Sequence, residues 1–88
     1  MTKITITETE NNYIEKLWYD YNSLLNLITY MTKNGVAAEE QEYYQKQLSS
    51  AYMALEIGKQ KVCKRYIDFP YTSYTFNFED STLDVETA

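Results

Sequence analysis

The sequence predicts an α+β fold that is mainly α: an antiparallel two-helix hairpin over about 13–33 and 37–67, with short terminal strands packed on it. Three observations predict it. Ile14, Leu17, Tyr21, Leu24, Ile28 and Met31 advance in steps of three and four, as do Tyr44, Leu48, Ala51, Leu55, Gly58 and Val62; that spacing gives a helix one apolar seam. Only a short break around Asn34-Gly35 separates the two runs, and helices joined so tightly become antiparallel neighbours. Both flanking segments alternate with a period of two, as half-buried strands do.

The first strand is expected over 3–7, where Ile4 and Ile6 alternate with Thr5 and Thr7. A polar connector, Glu8-Thr9-Glu10-Asn11, follows. Asn12 with Glu15 three residues on has the form of a capping box and predicts the start of the first helix at 13. Trp18 and Leu25 then fall on one flank of the seam and Tyr13 and Leu27 on the other. That apolar arc is wider than a two-helix contact needs, so a third layer must cover it. Gly35 suits the left-handed position just past a helix end.

The second helix lacks a capping side chain, but Glu39, Glu40 and Glu42 near its start and Lys59, Lys61, Lys64 and Arg65 near its end complement its dipole. Gly58 costs about 1 kcal/mol of helix propensity, so a close approach of the first helix near Tyr13 or Ile14 is expected there. Being longer than the first, this helix should overhang it, with Val62, Cys63, Tyr66 and Ile67 on the overhang. Phe69-Pro70 ends it, because the residue before proline is pushed to extended geometry. Tyr74, Phe76 and Phe78 alternate with Thr75 and Asn77, and Leu83-Asp84-Val85 alternates again. A C-terminal strand or hairpin, 73–79 with 82–86, is expected, and 84–88 is expected to fray.

The 88 residues are read as one small domain, 1–88, that buries only about 60% of its unfolded surface. Such thin cores borrow stability from disulfides, metals or a second copy. A lone Cys63 and the lack of histidine leave no disulfide or zinc site within the chain. One unpaired cysteine, no basic-then-apolar leader and no long apolar run predict a cytoplasmic protein with no membrane partner. A net charge of −5 opposes general nucleic-acid binding.

No convergent chemistry is legible. The usual neutral-pH base is missing. Cys63 has basic neighbours in Lys59, Lys64 and Arg65 that would lower its pKa, but no activating base, and reads as a small apolar residue on the overhang. Adjacent acids such as Glu39 and Glu40 diverge by about 100° on a helix. No glycine-rich phosphate loop and no metal-ligand spacing occurs. The expectation is a protein that is not an enzyme, without catalytic residues, cofactor or metal.

What stands out is tyrosine, ten of the 88 residues. Tyrosine is enriched at interfaces, and Tyr19, Tyr30, Tyr43, Tyr52, Met53 and Ile57 lie off or beside the seams. The sequence therefore points to a non-catalytic protein–protein interaction module. It would be an accessory or inhibitor-type protein, of the kind phages and mobile elements encode, binding another protein through a tyrosine-rich hairpin face and pairing with itself as a homodimer. Two alternatives stand beside it. One is an adaptor of a biosynthetic system that captures an extended peptide on the sheet edge at 73–79. The other is an acidic mimic that blocks a nucleic-acid-binding protein, with Glu39, Glu40, Glu42, Asp80 and Asp84 as one continuous face.

Overall fold

Residues 2–87 are described by the computed structural model. Strand β1 (Thr2–Thr5) leads into helix α1 (Glu8–Lys33), helix α2 (Ala38–Tyr66) returns beside it, and strands β2 (Ser73–Asn77) and β3 (Thr82–Glu86) close the chain. The helical hairpin with terminal strands is thus the architecture that periodicity predicts.

Helix α1 starts at Glu8, five residues ahead of the expected 13, because a stronger capping box lies upstream. Thr7 Oγ1 accepts from the Glu10 N–H (3.1 Å), and Glu10 Oε1 accepts from the Thr7 N–H (3.2 Å) and hydroxyl (2.7 Å). The residues 8–11, expected as a connector, are its first turn, and Glu8 and Glu10 face the positive end of the dipole. The first strand accordingly ends at Thr5 rather than 7. Ile6 has left the ladder but stays buried, its N–H donating to Ser81 O at 2.9 Å.

The turn between the helices is built as expected. Gly35 takes φ +67°, and the Val36 N–H reaches back to Met31 O at 3.0 Å. Ala37 gives α2 no side-chain cap. Gln41 braces the turn instead, its Nε2 donating to Val36 O at 2.8 Å and its Oε1 accepting from the Thr32 hydroxyl at 3.1 Å. At Gly58 an added Cβ would lie 2.8 Å from Leu17 Cδ1 and 3.3 Å from Tyr13 Cε2, the close approach anticipated there.

The sheet has the order β1-β3-β2, antiparallel throughout. The last strand is therefore its centre. Leu83 pairs with Ile4 on one side and Phe76 on the other, and Val85 with Thr2 and Tyr74. Leu83 and Val85 are fully buried. Within the tail expected to fray from 84, Asp84 and Val85 are paired on both sides and Glu86 with Ser73; Ala88 lies outside the described residues. The other sheet face carries Lys3, Thr5, Thr75, Asn77, Thr82 and Asp84, a small polar set.

The core gathers Ile6, Ile14, Leu55, Val62, Cys63, Leu83 and Val85, with Ile4, Leu17, Tyr21, Tyr74 and Phe76 packed around it. All of its helical members belong to the start of α1 and the end of α2. The longer α1 and the sheet together remove the expected overhang: Val62 and Cys63 are each only 4% exposed.

Candidate functional site

The sheet covers one flank of the hairpin and stops halfway along it. Three contacts fix its position, and a fourth ties the helices beneath it. Asn11 Nδ2 donates to Phe78 O at 2.9 Å. Trp18, seven residues further and so on the same flank, stacks tilted on Phe78 with ring centroids 6.1 Å apart. Cys63 on α2 and Tyr74 on β2 line one cavity together. Helix ends are clamped by Glu10, whose Oε2 takes Arg65 Nη1 at 2.6 Å and whose Oε1 takes the Tyr66 hydroxyl.

These groups are structural rather than reactive. Burial alone would raise the Glu10 carboxyl, but hydrogen bonds from Tyr66 and Thr7, with the Arg65 charge, hold it below its ordinary value of 4.5. The same bond to Glu10 pushes the Tyr66 phenol up. Burial raises the Cys63 thiol, against the opposing pull of Tyr74 and Lys59, so it is held protonated at neutral pH and is a poor nucleophile. Burial, followed by the neighbouring Cys63 and Glu56, pushes Tyr74 up to about 12. Among the described residues no group of three or more His, Cys, Asp or Glu side chains is placed to hold a metal ion, and no helix is long and apolar enough to cross a membrane.

Beyond Trp18 the hairpin runs on without the sheet. On the flank that the sheet would have covered lies an open groove of about 380 Å³ lined by Tyr21, Leu48, Ser49, Tyr52 and Met53. The Tyr21 and Tyr52 rings meet at 5.6 Å across it, and Met53, 62% exposed, forms its outer wall. The opposite flank of the hairpin is bare along its whole length. Tyr13 and Leu27 follow at heptad spacing on α1, with Tyr30 beside them; Tyr43 and Ile57 take the matching flank of α2. All five are exposed.

The six residues singled out from sequence therefore do not form one surface. Tyr52 and Met53 border the groove. Tyr30, Tyr43 and Ile57 lie on the bare flank. Tyr19 points away from the seam and packs edge-on against Trp18 at 5.1 Å. Tyr21, Leu48 and Ser49, which complete the groove, were read as seam positions or passed over. A signal for them was present in composition. Residues 21–32 carry no charge on any face, nor do residues 47–55, and the two runs meet at the groove, where Tyr21 packs on Tyr52. A helix destined for water on its outer faces seldom lacks charge for three turns, whereas interface centres are depleted of it.

Comparison with protein-family models, with curated proteins and with solved structures gave no match to this chain.

Proposed function

We propose that this protein is a non-catalytic protein-binding module whose partner seats in the groove of Tyr21, Leu48, Ser49, Tyr52 and Met53. The observation that carries this reading is the coincidence of that groove with the two charge-free runs, 21–32 and 47–55. Tyrosine supplies large contact area at low entropic cost, and methionine adapts to an irregular partner surface. The small polar side chain of Ser49 leaves the lining open to hydrogen bonding. The groove's largely apolar lining favours an apolar helix or extended segment as the occupant.

The test is site-specific photo-cross-linking in the source cells. A photoreactive residue replacing Ser49 should give one discrete adduct, and the same residue at Thr75 on the outer sheet face should give none. Adding Tyr52→Ser with Met53→Ser should abolish the Ser49 adduct while leaving the unfolding midpoint in place. An adduct pattern identical at both positions would remove the groove from the account.

The peptide-adaptor reading keeps one supporting feature: β2 is an edge strand, with only β3 beside it. It predicts the Thr75 adduct instead. The acidic-mimic reading loses its premise. Glu39, Glu40 and Glu42 sit beside the helix–helix turn, while Asp80 and Asp84 belong to the sheet packed at the other end of a chain 47 Å long.

A further inference from the structure

The flank facing away from the sheet is a second and separate uncovered surface. It is formed by Tyr13, Leu27 and Tyr30 on α1 and by Tyr43, Ala54 and Ile57 on α2, all displaced to the same side of the seam by helical geometry. Its middle is lined by Ser23, Ser50, Ala51 and Ala54, small residues that let another helical layer come close. Its α2 edge is charged, with opposite signs at its two ends: Glu40 in the first turn, Lys61 a little more than one turn from the finish.

We infer that a second copy of this chain covers this flank, antiparallel, to make a four-layer sheet–helix–helix–sheet dimer. A two-fold axis in the interface plane and perpendicular to the helices stacks each α2 on its copy with direction reversed. If that axis passes the midpoint of Glu40 and Lys61, between Ser50 and Ala51, Glu40 of each copy faces Lys61 of the other. The aromatic ends are matched by the same operation, Tyr13 with the Tyr30 end and Ile57 with the Tyr43–Tyr44 end. A two-fold running along the helices would instead lay each α2 on α1 of the other copy, so that Glu40 and Lys61 no longer meet. The interface is isologous and closed, so it stops at two copies.

The area suffices for a specific but reversible dimer. Twenty-one residue steps of 1.5 Å, from Glu40 to Lys61, span about 32 Å, and two adjacent helices are about 19 Å wide. That is about 600 Å² per copy and about 1,200 Å² in total, the lower end for specific interfaces. Asp20 lies nearest the axis and brings two carboxylates together, which weakens the pairing.

The experiment is light scattering after gel filtration, from micromolar to millimolar chain, on the full-length protein with the fold checked by circular dichroism. The mass should rise with concentration from 10.4 kDa toward twice that value. Glu40→Lys and Lys61→Glu should each weaken association about tenfold, equivalent to about 1.4 kcal/mol, and the double reversal should restore it. Asp20→Asn should tighten it. A wild-type mass of one chain at the highest concentration overturns the second copy. A dimer indifferent to the single reversals, or not rescued by the double one, overturns this face and register. Neither result touches the groove, which lies on the sheet side: a monomer that still gives the Ser49 adduct fails this inference alone.

Discussion

The two halves of the hairpin share one heptad pattern and differ in what lies over it. Near the chain ends, Ile14, Leu55 and Val62 are sealed between the helices and the sheet, with Ile14 at 0% exposure. Near Gly35 the seam positions Leu24, Tyr44 and Leu48 are only half-buried, while Ile28 and Met31, at 8% and 7% exposure, are buried by the helices alone. Polar pins follow the same division. Glu10, Arg65, Tyr66 and Asn11 tie the first half to distant parts of the chain, whereas the second half holds only local bonds such as Gln41 to Val36. A heptad pattern thus specifies which side of a helix meets its neighbour, and the third layer completes the burial at Ile14, Leu55 and Val62. Within the uncovered half the groove falls on the charge-free runs 21–32 and 47–55, while Glu39, Glu40, Glu42 and Lys46 cluster nearer the turn.

The largest expected contrast is between core truncations. Ile14→Ala should cost about 2–5 kcal/mol, the range for large-to-small changes at sealed sites, a large share of the stability of so small a domain. Leu48→Ala, on the same seam in the other half, should cost about 1 kcal/mol; comparable costs in urea unfolding would erase the distinction between halves. Next comes the clamp. Glu10→Gln leaves Arg65 without its charge partner and should cost about 1–3 kcal/mol.

The clamp also sets an acid limb. Because the folded Glu10 carboxyl is held below its ordinary value of 4.5, its contribution is complete above that pH and is lost as pH falls through the lower folded value. Thermal midpoints should drop as pH falls below about 4.5, and the part due to Glu10 should vanish in Glu10→Gln. At the other extreme Tyr74, raised to about 12, favours folding below pH 10 and ceases to do so as pH climbs toward that value. A smaller effect is expected at the turn. Gly35 has open space around its missing Cβ but a φ of +67°, so Gly35→Ala should cost about 1 kcal/mol through backbone strain alone. The smallest belongs to Tyr52→Ser with Met53→Ser, whose stability should stay within about 0.5 kcal/mol of the parent although the groove is lost.

Most of the fold was legible because it rests on local rules. The 3.6-residue rhythm, the left-handed glycine and the close approach at Gly58 need no knowledge of the rest of the chain. What escaped depends on long-range partners. Thr7 with Glu10 and Asn12 with Glu15 are both capping boxes by spacing; the first prevails because Glu10 is also held by Arg65 and Tyr66, more than fifty residues away. The central place of β3 was hidden because Leu83-Asp84-Val85 is too short an alternation to show that it is paired on both sides. The candidate site was legible in part. Tyr52 and Met53 announced themselves as apolar residues off the seam, while Tyr21 and Leu48 sit on it and become surface only because the sheet ends at Trp18.

Native-state hydrogen exchange on dilute protein tests the division of the hairpin most directly. Amides around Ile14 and Val62 should exchange only through global unfolding, while those around Leu25 and Leu48 should exchange through openings of clearly lower free energy. Equal protection along the whole of both helices would contradict the account, because the uncovered half would then need no cover.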